Sequence, residues 1–209
     1  MSSQVSRVEA WDLLTDWVQS PSLRRHCLAV EAAMVGYARK LGADEEAWAV
    51  AGLLHDADYE RHPDMDDTES GHPRTIIRHL RERDADPEIV DAIAGHATFL
   101  GVPRESDMAK TLFAVDELSG FIVACAYVRP EGIHGMAPKS VKKKLKTVAF
   151  AAAVNRDEVR QGAEELGVDF DEHLAFVIAA LEERADELEL HGKAAETGAG
   201  AGAPEPDPA

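Results

Sequence analysis

The stretch "GLLHDADYE", residues 52–60, ends an apolar run that begins at Ala47 and changes at His55 and Asp56 to an imidazole and a carboxylate. A helix through this run is apolar on all sides, which is typical of a helix buried in the centre of a domain. His55 and Asp56 are then buried as well. A buried carboxylate is costly unless it is paired, hydrogen-bonded or bound to a metal ion. The stretch therefore predicts a central helix whose last turn carries polar groups in need of partners.

The rest of the chain shows helix signals almost throughout and hardly any alternation typical of strands. We expect an all-α fold, with helix ends marked by caps, prolines and glycines. The predicted helices cover Val8 to Val18, Leu23 to Lys40, Asp44 to the His55 and Asp56 pair, His72 to Arg83, Pro87 to Ala97, Asp107 to Tyr127, a lysine-rich segment capped by Ser140, Asp157 to Gly167, and Asp171 to Leu190.

Composition narrows the class of protein. The 209 residues, 45% of them hydrophobic, suffice for one domain with extensions. A formal net charge of -17 argues against a nucleic-acid scaffold or an anionic membrane as partner, because both reward basic surfaces. No apolar run approaches about 20 residues, no signal peptide is recognisable, and Cys27 and Cys125 form no CxxC motif. We expect a cytoplasmic protein with reduced thiols, and the oligomeric state stays open.

Further ionisable residues fall on the inward faces of the predicted helices. A single histidine on an apolar face is usually a hydrogen-bonded core residue, but four histidines and two aspartates are too many for an inert core. Metal ions would satisfy all of them at once. The candidate set is His26, His55, Asp56, His72, His96 and Asp116.

The order of these residues resembles the ligand series of the HD-domain superfamily, metal-dependent phosphohydrolases named after the adjacent His-Asp pair. The resemblance covers roughly Leu23 to Val128. The segments "HDADYE", "GHP", "AGHA" and "DELSGFI" are closer still to a bacterial subgroup described only as predicted HD hydrolases. Many members follow His-Asp with a small pair such as Ile-Gly, whereas Ala57 and Asp58 stand here.

This resemblance implies an HD-domain helical bundle with a binuclear site, in which Asp56 bridges two ions. One ion would be held by His26, His55, Asp56 and Asp116, and the other by Asp56, His72 and His96. Nitrogen and oxygen ligands suit iron or manganese best, with cobalt or zinc also possible. Two such ions about 3.5 to 4 Å apart activate water for hydrolysis of phosphate esters, nucleotides among them. The predicted organisation is an N-terminal helix (1–21), an HD-type metal-binding domain (22–190) and a tail (191–209). The tail is expected to be disordered because it is rich in Gly, Ala and Pro and has no large apolar residue.

Two basic residues are candidates for binding a small anionic substrate. The segment at residues 136–158, "MAPKSVKKKLKTVAFAAAVNRDE", is the one basic island in an acidic chain. Lys144 lies at the border of its apolar stripe, from which its ammonium can reach a cleft. Arg156, at a junction of two helices, can bind phosphate or carboxylate in a bidentate manner.

Near the His-Asp pair, Asp58 is a candidate catalytic residue beside Asp56. It either orients His55, accepts a proton, or simply forms a turn. Tyr59 and Glu60 are expected to line the entrance. The remaining histidines are expected at the surface: His62, His79, His134, His173 and His191.

Two alternatives remain open for the function. A small oxygenase branch of the same superfamily uses the same ligand series to hold a mixed-valent di-iron centre that activates dioxygen. The other alternative is a binding module that retains the scaffold without turnover. Metal identity and redox behaviour separate these classes, because hydrolysis proceeds with redox-inert ions and oxygen activation does not.

Overall fold

The computed structural model describes residues 5–192, and over this range the chain folds into nine α-helices and one short 3-10 turn, with no strand. The prediction of an all-α fold is confirmed. Within the same range, none of the helices combines the length and apolar character needed to cross a membrane. The helices are α1 (Arg7–Trp17), α2 (Pro21–Leu41), α3 (Glu45–Leu54), α4 (Arg74–Glu82), α5 (Pro87–His96), α6 (Asp107–Tyr127), α7 (Pro138–Leu145), α8 (Arg156–Leu166) and α9 (Phe170–Glu182).

The helix α3 lies at the centre, packed against α1, α2, α5 and α6. Every residue from Ala47 to Leu54 is buried, as its all-round apolar sequence predicts. Gly52 allows α2 to approach closely, since a Cβ at this position would lie 2.7 Å from the Cα of Glu31. This approach brings the N-terminal half of α2, which carries His26, next to the C-terminal end of α3. The outer helices α8 and α9 cover α6 and α2.

Several helix ends agree with the sequence signals. Ser20 and Asp44 cap the N-termini of α2 and α3 through their side chains, and Gly42 ends α2 in the left-handed conformation, with φ of 69°. The helix predicted from Asp107 to Tyr127 is observed with these bounds. The signals are reliable here because each satisfies free backbone groups locally.

Other predicted ends differ from the structure. α2 begins at Pro21 rather than Leu23 and α4 at Arg74 rather than His72, and the largest differences are at α7 and α9. Ser140 does not cap α7, which begins two residues earlier at Pro138, a residue whose missing N–H suits the first turn. The last helix ends at Glu182 rather than Leu190. Beyond it the chain turns back, and the carbonyl of Leu190 accepts a hydrogen bond of 2.8 Å from the N–H of Ile133. Residues 183–189 therefore form turns in place of the predicted helix, and Leu190 contacts a distant segment.

The N-terminal helix shares the core of the following domain. Ala10 and Leu14 on α1 are fully buried in the same hydrophobic cluster as α2 and α3. The buried carboxylate of Glu31 on α2 accepts hydrogen bonds from Arg7 at 2.9 Å and from Arg184, which follows α9, at 3.2 Å. The boundary near residue 21 stays a prediction, and most of the predicted tail, residues 193–209, lies outside the described residues.

Candidate metal centre

The predicted ligand residues come together where α3 ends. His55 and Asp56 follow the last turn of α3, and the other residues arrive from four different places in the chain. They are His26 on α2, His72 just before α4, His96 at the end of α5 and Asp116 in the middle of α6. The fold thus converts a dispersed sequence pattern into one cluster.

On one side of the cluster, four side chains offer ligand atoms at mutual distances suited to one ion. The Nε2 of His26 lies 3.1 Å from the Nε2 of His55 and 3.1 Å from Oδ1 of Asp116. Oδ2 of Asp56 lies 3.6 Å from the Nε2 of His26 and 3.5 Å from that of His55. Ligands about 2.1 Å from a common ion lie roughly 3 to 3.5 Å apart. The atoms of His26, His55 and Asp56 therefore have the spacing of a coordination shell, and Oδ1 of Asp116 lies beside both imidazoles, 3.1 Å and 3.4 Å from their Nε2 atoms.

On the other side, the second oxygen of Asp56 faces two more imidazoles. Its Oδ1 lies 3.3 Å from the Nε2 of His72 and 3.7 Å from the Nε2 of His96. The cluster therefore contains two groups able to hold a metal ion. One is His26, His55 and Asp56, and the other is Asp56, His72 and His96. Asp56 belongs to both groups, with one oxygen turned to each.

Hydrogen bonds at the far side of three rings fix how the imidazoles face the cluster. Nδ1 of His55 donates to the carbonyl of Gly52 at 2.8 Å, and Nδ1 of His96 donates to that of Ile93 at 2.6 Å. Nδ1 of His72 donates to Asp58 at 2.7 Å. In a neutral imidazole the other nitrogen then carries a lone pair. The Nε2 atoms are thereby prepared as metal ligands, in the arrangement that metal-binding histidines usually show.

The charges of the cluster call for a cation. Burial by itself would lower the pKa of His55, but the carboxylates of Asp56 and Asp116 outweigh it and raise this pKa to about 9. Burial would raise the pKa of both aspartates, yet His55 and the neighbouring histidines lower both. The shifts show that the two carboxylates favour positive charge at this place, which protons on the imidazoles supply and which metal ions can supply in their stead. The donor set therefore fits divalent metal ions.

Asp58 has a different partner from the one the sequence predicts. It is completely buried, and Oδ1 accepts from Nδ1 of His72 while Oδ2 accepts from the N–H of Ile76 at 2.9 Å. It orients His72 and not His55, and both of its oxygens are engaged away from the cavity. Asp58 does lie in the turn that follows α3, where its carbonyl accepts from the N–H groups of Arg61 and His62, but its carboxylate also orients a ring. With both oxygens engaged, neither is free for the predicted role of proton acceptor. The correct partner lies 14 residues further on, beyond the reach of local sequence reasoning.

The cluster forms the floor of a cavity of about 390 Å³. Tyr59 lines it as expected, but Glu60 does not, because its carboxylate accepts from the N–H groups of Gln19 and Ser20. Phe99 and Glu117 also line the cavity and are not predicted from the sequence. The one local signal for Glu117 was its position directly after Asp116.

Part of the wall comes from the start of α8, outside the segment that carries the ligand pattern. Asn155 and Glu158 contribute here, together with Glu117 of α6. Burial, followed by the carboxylate of Asp116, raises the pKa of Glu117 to about 7. Among the described residues that line the cavity, none is a lysine or an arginine. The wall around the cluster is therefore acidic.

The two predicted substrate-binding residues lie elsewhere. The guanidinium of Arg156 donates to backbone carbonyls, among them Val154 at 3.0 Å and Leu145 at 3.2 Å. The segment 146–154 is not helical, so its carbonyls lack helical partners and take the guanidinium instead. The ammonium of Lys144 lies over the ring of Phe150, 4.6 Å from its centroid. Neither cation lines the cavity, and the predicted substrate contacts are corrected accordingly.

The prediction for His173 is also wrong, because this residue is buried. Its Nε2 donates to the carbonyl of Ala114 at 3.0 Å, and its Nδ1 accepts from the hydroxyl of Tyr37 at 2.6 Å. Burial lowers its pKa. His79 is partly buried, with its ring edge against Trp17 at 4.9 Å. These histidines belong to the structural core and its margin, away from the metal cluster.

Comparison with known proteins agrees with this geometry. Residues 23–120 match the family model described as HD domain, a span that contains all of the clustered histidines and aspartates. No curated protein and no solved structure matched the chain. The resemblance to the superfamily is confirmed, and the resemblance to one bacterial subgroup stays a prediction.

Proposed function

Because the chain carries an HD domain over residues 23–120, we propose that it is a metal-dependent hydrolase of phosphate esters with a binuclear site. The substrate would be a small anionic phosphomonoester or phosphodiester, nucleotides among them. One observation carries the proposal: Asp56 turns one oxygen to each of two imidazole groups on the floor of a cavity. A carboxylate shared in this way is the usual bridge between two ions.

The first ion would be held by His26, His55, Asp56 and Asp116, and the second by Asp56, His72 and His96. The mixture of imidazole and carboxylate favours iron or manganese, with cobalt or zinc as further candidates. Such ions, when bound, lower the pKa of water and neutralise charge on a phosphoryl oxygen. No nucleophile from the protein is then required.

The residues of the chain itself position these groups. Buried hydrogen bonds fix the rings of His55, His72 and His96, so that little reorganisation accompanies binding. His55 is fully buried, whereas Asp56 and Asp116 are only partly buried at the cavity floor. A phosphate ester that enters the cavity would therefore approach ions held at the partly buried Asp56 and Asp116.

Metal analysis combined with an activity panel tests the proposal. Protein purified without chelator should contain transition metal, and protein reconstituted with manganese, iron, cobalt or zinc should hydrolyse at least some phosphomonoesters or phosphodiesters. The variant His55→Ala serves as the inactive control. Absence of metal binding after reconstitution would contradict the metal centre itself.

Two other outcomes would assign the chain to a different class of HD protein. Oxygen consumption by the reduced iron form with a hydroxylated substrate, without cleavage of any ester, would favour the mixed-valent di-iron oxygenase. Firm metal binding without either activity would favour a non-catalytic module. Both outcomes would contradict phosphate-ester hydrolysis while leaving the metal centre in place.

A further inference from the structure

The cavity above the metal cluster carries negative charge that the ligand series does not account for. Glu117 and Glu158 line it beyond the residues that face the ions. Glu158 is half-buried, and its Oε1 accepts a hydrogen bond of 3.2 Å from the hydroxyl of Thr98. No lysine or arginine among the described lining residues balances these carboxylates. A substrate in this cavity therefore meets acidic groups and, among the described lining residues, no lysine or arginine.

The floor of the same cavity fixes where the anionic end of a substrate would lie. His72 and His96 are only 3% and 8% exposed, and both direct Nε2 to Oδ1 of Asp56. Their Nδ1 atoms donate to other acceptors, so Nε2 is the ring atom left for a ligand on the side of Asp56. These are the residues proposed above to hold the second ion. A phosphate bound there would leave the other end of the substrate near the acidic wall of the same cavity.

Aromatic side chains form another part of the cavity wall. Tyr59 and Phe99 line the cavity, and both are partly exposed. The ring of Phe99 already meets one cation, the guanidinium of Arg74, 5.5 Å from its centroid. Aromatic rings attract cations through their faces, ammonium groups among them. Carboxylates and rings together favour a positively charged partner and disfavour a second anion.

We propose that this cavity selects phosphate esters whose other end carries an ammonium group. This rests on the proposed function, in which the phosphate lies at the metal ions. The ions satisfy the anionic end of the substrate, and Glu117 and Glu158 bind the cationic end. A substrate with a carboxylate in place of the ammonium meets repulsion from both glutamates.

Three probes of similar length test the selection: 2-aminoethyl phosphate, 2-hydroxyethyl phosphate and carboxymethyl phosphate. They carry a cationic, a neutral and an anionic end. With metal-loaded protein near pH 8, where the amine is charged, kcat/KM should fall in this order. We expect at least about tenfold between the first and the last probe, the size of one charge-assisted contact.

The variants Glu117→Gln and Glu158→Gln should each reduce the ratio of kcat/KM between the amino and the carboxymethyl probes. Glu164→Gln is the matched control, because Glu164 is exposed on the same helix as Glu158 and does not line the cavity. The ratio is measured within each variant, so incomplete folding or metal loading cancels. Metal content is determined alongside, because Glu117 is adjacent to Asp116.

Binding of the probes, measured by calorimetry on the metal-loaded protein, separates this inference from the proposed reaction. Selective binding of the amino probe that is lost in both variants, without hydrolysis, would support the subsite and contradict the hydrolase. Hydrolysis of all three probes at similar kcat/KM would overturn the ammonium subsite and leave the hydrolase standing. Unchanged selectivity in both glutamate variants would also overturn it.

Discussion

Replacing Asp58 with asparagine should weaken metal binding at the group formed by Asp56, His72 and His96. Asp58 touches no atom of the proposed ions, yet it accepts a hydrogen bond from Nδ1 of His72 and another from the N–H of Ile76. Nδ1 of His72 and the N–H of Ile76 are both donors, so the side chain at residue 58 must offer two acceptors. A carboxylate supplies them, whereas an amide offers one acceptor oxygen and one NH₂ donor.

Either orientation of the new amide is unfavourable. In one orientation the amide oxygen keeps the hydrogen bond from the N–H of Ile76, and the NH₂ group faces Nδ1 of His72. The imidazole must then carry its proton on Nε2, the atom that faces Asp56. If the amide is turned, two donors oppose each other in a completely buried place, which costs about 1 to 3 kcal/mol. The expected loss of affinity for that ion is therefore about tenfold to a hundredfold.

The assay is a titration of chelator-treated protein with manganese or cobalt, followed by calorimetry and by metal analysis after dialysis. Asp58→Asn should lose affinity for one ion and keep the other, which the His26 and His55 group holds. Asp66→Asn is the control, because Asp66 is exposed in the following loop. Equal affinities for both ions in Asp58→Asn and the natural protein would refute the orienting role of Asp58.

Three further predictions concern the second ion and two residues outside the metal cluster. His96→Ala should lose about one metal equivalent and keep the other, read by metal analysis, and loss of both ions would mean that the groups are not separable. Arg156→Ala should lower the free energy of unfolding by about 1 to 3 kcal/mol, measured by urea denaturation, because it removes donors from several carbonyls, and should leave KM almost unchanged. The folded state lowers the pKa of His173, so the unfolded chain takes up its proton first, and stability should fall as pH drops below about 6.5. His173→Gln should show a smaller loss between about pH 7.5 and 5.5 in the same denaturation assay, and an unchanged pH dependence would contradict this reasoning.

The sequence predicts those features that depend on neighbours along the chain. The caps at Ser20 and Asp44, the turn at Gly42 and the buried character of α3 are local or periodic properties, and the structure shows all of them. The inward positions of the clustered histidines and aspartates also follow from helix periodicity. The superfamily resemblance rests on these positions and is matched by the family model.

Contacts between distant segments were not predictable in this way. The sequence predicts that Arg156 binds an anion because it lies at a junction of two predicted helices, but the carbonyls of the non-helical segment 146–154 accept hydrogen bonds from its guanidinium. Asp58 was paired with its neighbour His55, whereas the loop returns to place His72 beside it. His173 has an ordinary surface sequence context and is buried only because α9 packs on α2 and α6.

Gly52 connects the packing of the helices with the geometry of the cluster. Its lack of a side chain lets the backbone of α2 at Glu31 come within a distance that a Cβ would forbid. Its carbonyl accepts a hydrogen bond from Nδ1 of His55, and Nε2 of that ring then faces His26. The same close approach of α2 and α3 brings His26 within 3.1 Å of His55. The apolar run that determines the fold and the His-Asp pair that follows it are therefore parts of one arrangement, in which helix packing sets the distances between metal ligands.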